Sequence, residues 1–221
     1  MKKPLASKKK SKPVTTKKAI NARSKPSQAG RLSRNFARDV YVHPQATVMG
    51  DVTLGQGVSI WPGAVLRGDM NSIRIGRMVN IQDNCTLHVD SSLGLEIGEY
   101  TLVGHNCMIH SCTIGRGCLI GIGSVILEGA VIGDGAMVTA GCLVRGGRKI
   151  PPFSLVVSKN GELVVYEKKA RTLLALAGCI EYSELARRVQ KGKFGPFSAD
   201  EEKKFYAEAQ IVYAQLFGEV K

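Results

Sequence analysis

Acidic residues are missing from the first 35 positions of this 221-residue chain, while nine Lys and three Arg lie there. That segment carries +12 of the formal net charge of +13, so the remaining 186 residues are close to neutral and the excess of basic charge lies in the tail. Large aliphatics are equally scarce in it: only Leu5, Val14, Ile20 and Leu32. It cannot bury enough apolar surface to offset the entropy of ordering, so residues 1–37 are expected to be a disordered basic tail. Three roles stay open for it: a solvated solubility tail, a weak tether to an anionic partner, or an organellar presequence, although presequences favour Arg over Lys. No apolar run approaches the roughly 18 residues of a membrane helix, and no h-region of a secretory signal is present. None of the six cysteines forms a C-x-x-C pair, which argues for reduced thiols in a cytosol-like compartment, with a mitochondrial location as the alternative. Histidine is scarce too. There are four, and three of them, His88, His105 and His110, fall within 23 positions.

What the sequence does have is a period of six. Val, Ile or Leu occupies all seventeen positions of the series 42, 48, 54, 60, 66, 75, 81, 87, 97, 103, 109, 114, 120, 126, 132, 138 and 144. Three residues are inserted before Ile75 and four before Ile97, and one is deleted before Ile114. A helix would scatter such residues around its surface, and an alternating strand would need them every second position. Short strands joined by tight corners stack each aliphatic on the one a coil below, which predicts a parallel β-helix shaped as a three-sided prism. Cys85, Cys107, Cys118 and Cys142 fall at the small inward position and are expected to act as compact hydrophobes. Cys112 and Cys179 carry no comparable signal.

Three hexads make one coil, so residues three hexads apart share a face, about 4.8 Å apart. Arg67, His88 and His110 each follow a core aliphatic and form one outward file. Asp83 and His105 form a second file beyond the neighbouring corner. Two imidazoles on one face and a third around a corner are poorly placed to close on one ion within a chain. Prisms packed about a three-fold axis would bring them together, as three imidazoles with a fourth position for water, the pattern of catalytic zinc. His43, beside Pro44, is expected to be a surface residue.

The segments WPGAVLRGD (61–69), NIQDNCTLH (80–88) and GHNCMIHSCTIG (104–115), ending in IPPFSLVV (150–157), resemble the gamma class of carbonic anhydrases. The resemblance spans residues 40 to about 157. It implies a left-handed coil, a homotrimer and a metal shared between subunits, Zn2+ with Fe2+ or Co2+ as alternatives. It also implies the reversible hydration of carbon dioxide to bicarbonate. Matched residue by residue, His88, His105 and His110 are the implied metal ligands, and Gln82 the residue that orients water or bicarbonate. Arg67 and Asp83 are the implied ion pair across the interface, with Asp69 in the same network. A divalent metal lowers the pKa of a coordinated water to about 7, which supplies hydroxide at neutral pH.

Two features depart from the family pattern. Met70 follows R-G-D where well-known members carry a proton-relaying glutamate, and the segment 89–96 offers only Asp90 and Glu96. The asparagine that borders the site in some members would align near Gly178, ahead of Tyr182. A non-catalytic structural or assembly subunit of the same family is therefore the alternative function, and a hexapeptide-repeat acyltransferase the third.

Residues 38–157 are thus assigned to the β-helix and 158–221 to a helical segment packed on it. Leu173, Leu176, Ile180, Leu185 and Val189 predict a helix over 167–190. KGKFGPF (191–197) is a linker, and Ser198 with Glu201 forms a capping-box pattern that opens a second helix to about Phe217, with Phe205, Ala209, Val212 and Leu216 as its apolar stripe.

Overall fold

A computed structural model of the chain describes residues 34–218. Most of the expected basic tail lies outside them. Its last residues, Arg34–Phe36, are instead an edge strand paired in parallel with Val52–Leu54, because Thr47–Leu54 leaves that edge open for backbone hydrogen bonds.

The body is a left-handed parallel β-helix of about seven turns with two C-terminal helices. Its first face stacks the leading halves of Thr47–Leu54 and Val65–Ile75, then Thr86–His88, Met108–His110, Val125–Ile126 and Leu143–Val144. The trailing halves of the same two long strands start the second face, which continues through Leu95–Ile97, Thr113–Ile114, Val131–Ile132 and Lys149–Ile150. A third face runs from Tyr41–Val42 through Ser59–Ile60, Asn80–Ile81, Leu102–Val103, Leu119–Ile120 and Met137–Val138 to Leu155–Lys159. Sixteen of the seventeen aliphatics are buried and Val42 is half-buried against them; Ile150 and Val156 extend the same ladder. Asn84 and Asn106 turn the corner between the third and first faces at φ of 58° and 59°. This left-handed conformation is one that asparagine tolerates better than most side chains. Each lies directly after Asp83 or His105, so the turn aims those side chains beyond the edge.

Past the last coil the chain doubles back. Leu155–Lys159 pairs antiparallel with Glu162–Tyr166 across Asn160 and Gly161, both at positive φ (50° and 81°), and Leu163 and Val165 cover the end of the core. This hairpin shortens the expected first helix. The helix α1 spans Thr172–Gln190 rather than beginning near 167, because 162–166 is committed to the sheet and Ala170 N donates to Phe153 O at 3.0 Å. Leu176, Cys179 and Ile180 pack α1 on Tyr100 and Leu102 of the third face, and Ala186 packs on Tyr41 and Trp61. At Gly178 the helix comes so close that a Cβ would stand 2.7 Å from Leu102 Cδ1. The helix α2, Ala199–Phe217, opens with the capping box formed by Ser198 and Glu201 and buries Ala209 and Val212 against α1. No helix among the described residues is long and apolar enough to cross a membrane.

Candidate metal centre

The first face carries the imidazole file in register: Arg67 pairs with His88, and His88 with His110, on successive strands. The His88 and His110 rings stand 5.3 Å apart between centroids, tilted by 54°. The three residues inserted before Ile75 lengthen the strand Val65–Ile75 and carry Asp69 to the flank of this file. Arg67 Nη1 donates to Asp69 Oδ2, and Asp69 Oδ1 lies 3.1 Å from His88 Nε2. The guanidinium, ahead of the His88 contact, holds the Asp69 carboxyl below the usual carboxylate range. An ionised carboxylate only accepts, so the His88 Nε2–H donates in this contact.

Around the edge, Asp83 Oδ2 lies 3.0 Å from His105 Nδ1. A carboxylate that accepts from one imidazole nitrogen fixes the tautomer and leaves Nε2 as a donor atom, the arrangement that orients metal-ligating histidines elsewhere. Within the chain Asp83 therefore serves His105, while Arg67 is engaged by Asp69. Gln82 is buried, and its Oε1 accepts from His105 N at 3.1 Å. Its side-chain carbonyl is spent on positioning the corner and its NH2 group remains to donate.

Two further residues join this neighbourhood. Trp61 follows Ile60 as Gln82 follows Ile81, so the six-residue register already placed them in one file on the third face. Its ring packs edge-on against Tyr41 at 5.3 Å and Tyr182 at 5.6 Å. Burial first, then the charges of Glu181 and Asp83, push the Tyr182 phenol up, so it stays protonated beside Gln82. His43 stands apart, its Nδ1 accepting from Gln45 N at 3.2 Å.

The two carboxylates of segment 89–96 part company. Asp90 Oδ1 accepts from Ser92 N, Ser92 Oγ and Leu93 N, each at 2.8 Å, and is absorbed in its own turn. Glu96 lies on the second face, in register with Arg74. Met70 is exposed.

Among the described residues of one chain, no three His, Cys, Asp or Glu side chains are grouped to hold a metal. The donor chemistry nevertheless suits one. Three imidazoles are present, two of them, His88 and His105, each oriented by a carboxylate, and they are divided as a pair on one face and a single ring beyond the edge.

Fold and repeat together define a hexapeptide-repeat β-helix protein. The family described as Bacterial transferase hexapeptide (six repeats) matches residues 37–68 and 111–146. The chain is 48% identical over 83 residues to "Gamma carbonic anhydrase 2, mitochondrial" of Arabidopsis thaliana, a match covering 35% of this chain and 30% of that protein. It is 45% identical over 129 residues to "Probable carbonic anhydrase" of Methanocaldococcus jannaschii, covering 58% of this chain and 81% of the relative. Among solved structures, a hexapeptide transferase family protein from Anaplasma phagocytophilum superposes with a TM-score of 0.65 at 31% identity, covering 71% of this chain and 92% of that one. The chain spans about a third of the length of the plant relatives it matches, 30% to 33%. It belongs to the gamma-class carbonic anhydrase family.

Proposed function

We propose that the protein is a metal-dependent carbonic anhydrase that hydrates carbon dioxide reversibly to bicarbonate and works as a homotrimer. His88 and His110 of one copy and His105 of the next would hold the ion, Zn2+ with Fe2+ or Co2+ as alternatives. The observation that carries this reading is the imidazole pair stacked at 5.3 Å on one face with a third imidazole, preset by Asp83, beyond the adjoining edge. Family membership supports it. When bound, the metal acts as a Lewis acid and makes water acidic enough to supply hydroxide near neutral pH. The chain's own residues do the rest. Asp83 holds the His105 tautomer, and Asp69 holds the His88 ring while Arg67 neutralises it. The Gln82 NH2 donates to an oxygen of substrate or product. Trp61 and Tyr182 cover Gln82 and keep that donor out of bulk water.

A specific observation favours a second reading, a metal-holding subunit with little or no catalysis. Asp90 gives Oδ1 to its own turn, although its charge still acts on His110, and Glu96 is in register with Arg74 on the second face, so the segment holds no carboxylate aimed wholly at the imidazoles. Metal content, trimer mass and the carbon dioxide hydration rate of wild type and His105→Ala separate the possibilities. The expected result is a metal-bearing, active wild type and a variant that has lost most of its metal and at least tenfold in kcat/KM. A wild type that binds metal without hydrating carbon dioxide selects the second reading. Undiminished metal in His105→Ala contradicts both. Turnover of acetyl-CoA in place of hydration would point to the acyltransferase reading.

A further inference from the structure

Six arginines of the described chain, at 67, 74, 77, 116, 187 and 188, each hold a carboxylate. Among the described side chains Arg38, Arg145, Arg148 and Arg171 hold none, and two of these, Arg145 and Arg148, line one cleft of about 360 Å3 between the last coil and the terminal hairpin. They are the first and fourth residues of a hydrogen-bonded turn, Arg148 N donating to Arg145 O at 3.2 Å, with Gly147 at φ 69° inside it. The turn brings both arginines to the lining of the cleft. Leu143, 41% exposed, and Leu163 supply apolar wall, and Ser158 and Glu162 lie across from them on the hairpin. Where a side chain would project from Gly141 and Gly161, on the rim, there is no atom within 4 Å. The cleft lies further along the same face: Arg145 follows Val144 as His110 follows Ile109, so it continues the file of Arg67, His88 and His110 two rungs, about 10 Å, past His110.

Each feature selects a part of a ligand. Two guanidiniums without carboxylates match a dianionic phosphoryl group, which they can grip through paired N–H donors. Glu162 would repel a second anion but accepts hydrogen bonds from sugar hydroxyls, and the Ser158 hydroxyl can join it. The leucines offer a surface for a flat ring. The volume lies at the small end of ordinary ligand pockets, about 300–1,000 Å3. We propose that this cleft binds a nucleoside monophosphate, with the phosphate on Arg145 and Arg148, the ribose against Glu162 and Ser158, and the base over Leu143 and Leu163.

The test is calorimetric titration of the full-length, metal-loaded protein with adenosine 5′-monophosphate, adenosine, ribose 5-phosphate and inorganic phosphate. Saturable binding of the monophosphate is expected, with adenosine and inorganic phosphate at least tenfold weaker and ribose 5-phosphate between. Arg145→Ser with Arg148→Ser should weaken monophosphate binding at least tenfold while metal content stays at the wild-type level. Arg187→Ser, a charge removed from another part of the surface, should leave binding unchanged. Leu163→Ser, which keeps both arginines, should bring the monophosphate down toward ribose 5-phosphate. The proposal is overturned if the wild type shows no saturable binding, if inorganic phosphate binds as tightly as the monophosphate, or if Arg187→Ser weakens binding as much as the double variant.

Discussion

Cys107 sits between two of the candidate ligands, His105 and His110, yet its side chain points the other way, into the prism. Its thiol donates to Gly121 O at 3.1 Å, as Cys85 does to Gly104 O at 3.0 Å and Cys118 to Gly133 O at 3.2 Å. Ser124, in the same inward column as Cys85 and Cys107, donates to Thr139 O at 3.0 Å. The small inward residue therefore has two jobs: it fills a corner and it satisfies a carbonyl of the next coil. Position in the hexad predicted the first, and only the structure shows the second. Burial pushes the Cys112 and Cys118 thiols up to about 12, which keeps them protonated and unreactive in the folded protein. Serine keeps the donor and valine deletes it, so Cys107→Val should be less stable than Cys107→Ser by about 1 kcal/mol in urea denaturation. A more stable valine variant would show that the thiol acts as a hydrophobe alone. The site was legible at this scale in part. The files Arg67–His88–His110 and Asp83–His105 follow from counting by six. The contacts of Asp69 with Arg67 and His88 within one chain did not follow, because they depend on side-chain reach along the face and not on the count of six.

Among the elements, the helix α2 shows a charge-dependent start. Ser198 N and Oγ both donate to Glu201 Oε2, at 2.8 and 2.9 Å, and Glu201 N donates back to Ser198 Oγ. Chiefly the Ser198 backbone N–H, then its hydroxyl, hold the Glu201 carboxyl below its ordinary value. A depressed folded-state pKa stabilises the helix above the unfolded glutamate value of about 4.3, and that contribution fades as pH falls through the folded value. Ser198→Ala should cost about 1 kcal/mol at neutral pH. In acid titrations followed by circular dichroism, Glu201→Gln should be less stable than wild type at pH 7 and should converge with it toward pH 3; a gap that persists in acid would deny the carboxylate this role. The S-x-x-E pattern made this start legible, as the ladder of aliphatics made the coils legible. The hairpin over 155–166 stands where a helical segment from 158 is expected, although Asn160-Gly161 between short apolar runs is a residue pair that favours a two-residue hairpin turn. The aliphatic series that the sequence shows ends at Val144, whereas Ile150 and Val156 continue the ladder as core rungs and a strand folds back beside Val156. Arg34–Phe36 differs from the expected tail for another reason. A short polar segment pairs only because the finished sheet presents an open edge.

For the whole molecule, the decisive feature is that the prism divides its imidazoles. Two stand on the first face, and one stands past the edge where the third face meets it. A rigid coil keeps them apart, so a three-imidazole centre requires an interface of the heterologous, ring-closing kind. Complementation between defective copies tests this most directly. His105→Ala and His110→Ala, each expressed alone, should both lose metal and hydration activity, since every interface lacks one ring. Co-expressed in equal amounts and mixed at random, the two variants should recover about a quarter of the wild-type metal, because one interface in four joins an intact pair to an intact corner ring. Recovery of metal and activity together near that fraction is the predicted result. Full metal binding by either variant alone, or a co-expressed mixture as empty as its parents, would contradict the shared centre.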